Sequence, residues 1–460
     1  MMRRAAILAS ALLAGCTLEP HYQRPAPPVP PSWPTGDAYL RGSEAALPSY
    51  GYREVFADPR LRAIIDQALA NNQDLQLALA NIEAARARYR IRRAELFPAV
   101  DAAGSYRRSD SAGPGGEQGR FSAQLGIAGY ELDLFGRIRS LSKAERERYL
   151  ASEAAARATR LALVADVADA WLALAADSSL LAVARQTAEA ARDSMRITGR
   201  RLQGGIAPRS DLRQAEIVLR TAEADVAELT TAVAQDLNAL QLLVGAPVDP
   251  ANLATRIEDA TTRLAEVPAG LDSSILLRRP DVIEAEHQLR AANAEIGAAR
   301  AALFPRITLT GLLGFASDAL GSLFDRGNFS WQAGGDAGYA IFSGGAGRAN
   351  VALGQAQRDA ALASYRKAIQ SAFADVADTL ARRGTIDAQL QAAASGREAA
   401  ADNSRLATMR YRGGIESYLE ELTARQALYA AERRLVQTRL VKASNLVALY
   451  RSLGGDAFGG

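Results

Sequence analysis

The chain has 460 residues, 48% hydrophobic and 23% charged, with 54 Lys and Arg against 51 Asp and Glu for a formal charge of +3. Two of those positive charges, Arg3 and Arg4, lie in an N-terminal leader, and without them +3 becomes +1, so there is no polyanion footprint and nucleic acid is excluded as a partner. One cysteine excludes a disulfide within the chain, and two isolated histidines, His21 and His287, offer no cluster with metal-ligand spacing.

Residues 1–15 read as a secretory signal: Met1-Met2-Arg3-Arg4 is positive, and Ala5 to Ala14 is apolar but too short to span a membrane. Leu13-Ala14-Gly15-Cys16 has the form of a bacterial lipobox, which implies cleavage before Cys16 and acylation of that residue. Residues 16–58 form an N-terminal extended arm, with prolines from Pro20 through Pro34 that favour a polyproline-like path. The arm is either a spacer between lipid and body or a strap packed on the body.

Beyond the arm the chain repeats itself. Asp166-Val167-Ala168-Asp169 returns as Asp375-Val376-Ala377-Asp378, and Gly204-Gly205-Ile206 returns as Gly413-Gly414-Ile415 at the same offset. Leu96-Phe97-Pro98 returns as Leu303-Phe304-Pro305, and the run Leu240 to Gly245 is echoed by Leu449 to Gly454. The period far exceeds the roughly 20–50 residues of solenoid repeats, so each half is a substantial structure. The halves are 59–250 and 271–454, joined by a connector at 251–270 and followed by a tail at 455–460.

Each half predicts a helix, a β-hairpin and two long helices. Ile138 to Gly199 holds no proline, and Leu161, Val164, Ala168, Trp171 and Leu172 recur at helical spacing. A helix from Ile138 to Arg200 is about 95 Å long, beyond a compact globular domain. Helices near Ser210–Leu243, Gln355–Tyr411 and Ser417–Arg451 continue the theme, with a coiled-coil stalk as their simplest reading. The glycine pairs Gly204-Gly205 and Gly413-Gly414 follow long helices where left-handed caps belong, and each marks a helical hairpin tip.

The hairpins, about 97–134 and 304–342, alternate in polarity. Along Phe329 to Ile341 the odd positions are Phe329, Trp331, Ala333, Gly335, Ala337, Tyr339 and Ile341, and the even positions are small or polar. Phe121 to Ile127 and Ile307 to Phe315 follow the same pattern. About ten residues of alternation tipped by aromatics describe a transmembrane β-strand; a half-buried sheet in a soluble sandwich is the alternative. No segment after the signal reaches the roughly 20 apolar residues of a membrane helix, so an exported chain that spans a membrane does so by a barrel. Four strands cannot close one, and two, three or four copies would have to share it.

These residues resemble the outer membrane factors of the TolC type, and within them the NodT-like efflux lipoproteins. The marks are the lipobox ending at Cys16, Arg279-Pro280-Asp281-Val282, both Phe-Pro dipeptides, the run Tyr130 to Arg137 with its counterpart Phe342-Ser343-Gly344-Gly345, and the Arg410-Tyr411 and Gly413-Gly414 tip. The resemblance implies a mainly α fold with a membrane β part, an internally duplicated α-barrel/β-barrel duct. Four strands per protomer would join a twelve-stranded trimeric barrel, and long coiled-coil helices would form a periplasmic tunnel. It implies a lipid-anchored homotrimer in the outer membrane, working with a periplasmic adaptor protein and an inner-membrane pump of the resistance-nodulation-division type. No enzymatic activity and no cofactor are expected.

Phe121, Phe315, Phe329, Trp331 and Tyr339 are candidates for the lipid-facing belt, with ordinary core aromatics as the alternative. At the tips the family keeps acidic side chains in a closing ring. Asp211 matches one such position, and equally suits a helix N-terminus. Thr423 replaces the second usual acid, so Glu420 or Glu421 is expected to substitute, with Arg410 and Arg412 near enough along the chain to form weak closing ion pairs. Only Met195 and Met409 remain outside the signal, which disfavours a thioether relay for soft metal ions. An efflux exit duct is the leading reading; a protein or peptide secretion duct and a non-conducting envelope scaffold lipoprotein are the alternatives.

Overall fold

The computed structural model describes residues 17–34, 36, 39, 51–110, 117–261 and 273–455. The signal segment, the lipidation candidate Cys16, part of the 251–270 connector and nearly all of the C-terminal tail lie outside the described residues. Helix α1 (Pro59–Asn71) and α2 (Gln73–Ala94) lead into strands β1 (Asp101–Asp110) and β2 (Glu117–Glu131), then α3 (Arg137–Gln203) and α4 (Arg209–Val244). The second half gives α5 (Pro280–Ala301), β3 (Arg306–Ser317), β4 (Phe329–Gly338), α6 (Ala346–Arg412) and α7 (Tyr418–Ser452). Both α3 and α6 have 67 residues.

The duplicated motifs do the same work in each half. Asn72, before α2, donates its side-chain amide to the carbonyl of Leu243 near the end of α4, at 2.8 Å. Arg279, before α5, donates to the carbonyl of Ser452 at the end of α7, at 2.9 Å. Each side chain satisfies one of the carbonyls a helix terminus leaves unpaired. The glycines after those helices, Gly245 at φ +72° and Gly454 at φ +91°, take the left-handed conformation that ends them. Arg279 also grips Asp281 at 2.7 Å and Asp375, the first acid of the repeated Asp-Val-Ala-Asp motif, at 3.2 Å.

The Tyr130 to Arg137 run is a strand-to-helix joint. Tyr130 donates its hydroxyl to the Leu96 carbonyl at 2.9 Å, and Glu131 holds Arg137 at 2.7 Å. Asp133 accepts from the backbone amides of Ile138 and Arg139 at 3.0 and 2.8 Å, capping α3, while Gly136 turns the chain at φ +76°. The counterpart before α6 uses two left-handed glycines, Gly344 and Gly345.

The duplicated halves are not the compact units. One unit combines Ala80–Glu153, Glu284–Lys367 and the described part of Met1–Ala26; the other combines Pro27–Leu79, Ala154–Ile283 and the described part of Ala368–Gly460. Each unit therefore takes matching pieces from both halves. In the first unit the arm is packed, which decides between the two readings of it. Glu19 pairs with Lys143 at 2.9 Å, Arg24 with Glu286 at 2.7 Å, and Asn293 donates to the Pro20 carbonyl at 2.8 Å. Gly297 makes room for this strap, since a Cβ there would stand 2.9 Å from the Glu19 Cα. In the second unit Trp33 stacks on Phe373 at 4.6 Å.

One expectation is corrected. Helix α3 does contain a stretch apolar enough to cross a membrane by length and composition, but 61% of that stretch is buried inside the protein. Its apolarity is that of a core helix. Trp171 is fully buried there, with its indole N–H donating to the Asn252 carbonyl at 3.0 Å, and the Ser179 hydroxyl accepts from the Ile257 amide at 2.9 Å. The described part of the connector thus packs on α3.

Between α3 and α4, burial and the neighbouring Asp177 push the Asp236 carboxyl up to about 6. Burial raises Asp177 as well. An unfolded Asp titrates near 3.9, so the native protein loses stability as pH rises from about 4 through 6 and regains it on acidification. Asp236→Asn is expected to raise Tm above pH 7 by about 1–3 °C, kept small because the group is only partly buried, with the gain vanishing near pH 4. A gain of equal size at both pH values in thermal melts would show that charge on Asp236 is not the cause.

Candidate functional site

The four strands form one antiparallel sheet in the order β1-β2-β3-β4, so the two hairpins join through β2 and β3. The register pairs Tyr106 with Phe121, Ala123 with Phe315, Phe315 with Phe329 and Leu313 with Trp331. Opposed residues share a face, so the aromatics and leucines gather on one side. The other side pairs Ser105 with Ser122, Gln124 with Gly314, Gly314 with Ser330 and Thr308 with Asp336. Leu312 is the apolar exception on that polar side.

The apolar face is uncovered. Trp331 is 73% exposed, Phe329 50% and Leu313 48%, a continuity of apolar surface that water does not favour and lipid does. Near the hairpin ends, Tyr106 and Phe121 pack at 4.6 Å, and Phe315 meets Phe324 and Phe329 at 5.4 and 5.5 Å. Tyr339 is exposed but lies beyond β4, which ends at Gly338 rather than continuing to Ile341. The ladder stops because Gly338 already faces Arg306, the first residue of β3 after Pro305, which has no N–H to donate. Among the described residues, β1 and β4 each pair on one side only. A sheet with two open edges and one apolar face is stable in a membrane only when its edges are paired by further strands.

At the other functional region the two helical hairpins end alike. The Ile206 amide donates to the Arg201 carbonyl at 2.9 Å and Gly205 to Leu202 at 3.0 Å; Ile415 donates to Arg410 at 2.9 Å and Gly414 to Tyr411 at 3.0 Å. Gly205 and Gly414 carry φ values of +72° and +75°, so both turns are Schellman caps and their second glycines supply the left-handed step. Gly204 and Gly413 precede them outside the left-handed region.

A lock absent from the sequence reading joins these tips. Tyr411, Tyr418, Ala215 and Leu422 form a buried cluster, with Met195 and Val218 packed on it. The Tyr411 hydroxyl lies 3.1 Å from Thr198 Oγ1, and Arg201 both donates to the Tyr411 carbonyl at 3.0 Å and stands 4.6 Å over its ring. Burial pushes the Tyr418 hydroxyl above its usual pKa. The available signal was a pair of tyrosines seven residues apart, flanking the glycines. Beside the lock is a cavity of about 630 Å³ lined by residues of α3, α4, α6 and α7, among them Ala222, Asp225 and Tyr429.

The charged tip residues pair differently from expectation. Arg410 binds Glu416 at 2.6 Å rather than Glu420 or Glu421, because Glu416 is the acid directly across the turn. Glu421 is 2% exposed and binds Arg425 one helical turn on, at 2.6 Å, which removes it from a solvent-facing ring. Arg412 and Glu420 are exposed, and Asp211 occupies the first turn of α4, as helix polarity favours.

This architecture of open-edged membrane sheet and capped helical hairpins agrees with the sequence family described as outer membrane efflux protein, which matches residues 64–246 and 271–455. The chain belongs to that family. It is 43% identical over 452 residues to the probable efflux pump outer membrane protein TtgC of Pseudomonas putida, covering 96% of this chain and 93% of that protein. It is 38% identical over 458 residues to the outer membrane protein OprJ of Pseudomonas aeruginosa, covering 98% and 95%. Among solved structures, the open state of the MtrE outer membrane channel of Neisseria gonorrhoeae matches with a TM-score of 0.86 at 34% identity, covering 96% of this chain and 98% of that one. The protein is thus an outer-membrane efflux channel.

Proposed function

We propose that three copies of this chain close a twelve-stranded barrel and serve as the passive exit duct of a tripartite efflux system, carrying drugs or other small molecules. The observation that carries this reading is the four-stranded sheet, apolar on one face, polar on the other and open at both edges. A periplasmic adaptor and an inner-membrane pump of the resistance-nodulation-division type are the partners, in keeping with relatives named as efflux pump outer membrane proteins. Acylated Cys16 anchors the chain to outer membrane lipid. Phe121, Phe315, Phe329, Trp331 and Tyr339 form its lipid belt.

The tips form the gate. Asp211, Glu420, Arg410 and Arg412 supply a weak polar ring, Gly204, Gly205, Gly413 and Gly414 shape the turns, and buried Glu421 supports the ring through Arg425. The cavity beside the Tyr411 lock leaves the hairpins space to shift. Single-channel recording of the purified protein tests this. The wild type is expected to conduct weakly, and Asp211→Ala or Glu420→Ala to raise open probability by up to about fivefold, the factor that 1 kcal/mol of a surface ion pair represents. Absence of any pore from membrane-inserted oligomers would overturn the duct.

A further inference from the structure

The polar face of the sheet carries one feature that a neutral duct does not require. Arg107 of β1 and Arg120 of β2 stand directly opposite each other in the ladder. Residues so paired have their Cβ atoms about 4.5–5.5 Å apart, and like charges there weaken the pairing. Both are exposed, and no ion pair to either is found among the described residues. Such a pair is costly unless the two charges are used.

Their face is set by their neighbours. The Tyr106 ring packs against Phe121 at 4.6 Å and covers Gly119, where a Cβ would come within 3.2 Å of it. Tyr106 and Phe121 are thereby held on the apolar face, and alternation along each strand puts Arg107 and Arg120 on the polar one. Ser105, Ser122, Gln124, Ser330 and Gln332, which follow on that face, are neutral. Its acids, Asp101, Glu131 and Asp336, belong to the opposite end of the strands, beside the helices.

Among the described strand residues near Arg107 and Arg120 on that face, none carries an opposite charge. Residues 111–116, Ser-Ala-Gly-Pro-Gly-Gly, bring no charge. Asp110 is paired with Glu117 in the ladder. The β3–β4 connection holds Asp318, Asp325 and Arg326.

We infer that Arg107 and Arg120, two guanidinium groups per copy, form an electropositive ring at the outer mouth of the duct that biases conduction toward anionic solutes. This rests on the proposed barrel, in which the polar face lines the lumen. Rings of Arg select anions because their summed field raises the local anion concentration and repels cations, without requiring a tight site.

The test is the reversal potential of the full-length protein in planar bilayers under a KCl gradient, for wild type, Arg107→Gln/Arg120→Gln and Arg107→Lys/Arg120→Lys. The Gln pair is expected to lower the chloride-to-potassium permeability ratio by about threefold in dilute salt, and the Lys pair to retain it. The difference should fade near 1 M salt, where the screening length shrinks from about 10 Å to about 3 Å. If the double Gln variant does not insert, each single Gln variant is expected to give about half the shift. An unchanged ratio in conducting Gln variants, or an equal shift in the Lys pair, would overturn the ring while leaving the duct intact. A wild type that forms no pore would overturn both.

Discussion

Gly314→Val is expected to abolish assembly of the channel. Gly314 lies in β3 opposite Gln124, and a Cβ at that position would fall 2.4 Å from the Ala123 carbonyl oxygen and 2.9 Å from the Gln124 Cα. Both atoms are backbone, so no side chain can swing away. Gly126, on the other strand of the same pairing, is equally confined, with its Cβ position 2.3 Å from the Gly311 carbonyl oxygen. The β2–β3 ladder is the sheet contact joining the duplicated halves. Its loss in a membrane leaves a row of polar backbone groups without partners, each costing several kcal/mol. Crosslinking and semi-native electrophoresis should show monomers without oligomer for Gly314→Val, and normal oligomer for Gly334→Ala, where nothing approaches within 4 Å. Equal oligomer yields from the two would refute the close-approach argument.

The second large effect is expected at Arg279. It is 9% exposed and joins Asp281, Asp375 and the Ser452 carbonyl, so Arg279→Ala removes three partners at once. The two carboxylates remain partly solvated, which keeps the expected loss near 3 kcal/mol, the low end for breaking a buried pair. Asn72→Ala, at the matching place in the first half, removes the hydrogen bond to Leu243 and the one Asn72 Oδ1 accepts from the Leu75 amide, and should cost about 1–2 kcal/mol. Denaturation of the solubilised protein should rank the two in that order. Equal losses would mean that the ion pairs to Asp281 and Asp375 contribute no more than the single hydrogen bond between Asn72 and Leu75.

Much of this architecture is legible in local sequence, for local reasons. Proline-free runs with apolar spacing give α3 and α6, and strict alternation gives the two faces of the sheet, because both depend on periodicity along the chain. Gly205 and Gly414 reveal their caps because L side chains rarely adopt a φ near +70°. The Tyr130 to Arg137 run is recognisable as a motif, but its work, a carboxylate cap from Asp133 and an ion pair from Glu131, is set by the tertiary structure.

The misreadings have a common cause. Arg410 and Glu421 stand eleven positions apart in the sequence, yet the helix start at Tyr418 turns Glu421 inward to Arg425 and leaves Glu416 beside Arg410. The apolar stretch of α3 has the composition of a membrane span, but its neighbours cover most of it. The Tyr411 lock, the strap at Gly297 and the opposition of Arg107 to Arg120 each join residues from different elements. Periodicity along one chain specifies element type and which face is apolar; it says nothing of which faces meet. Partner choice follows from the register between strands and the rotation of each helix about its axis, and these are set by close packing across the whole structure.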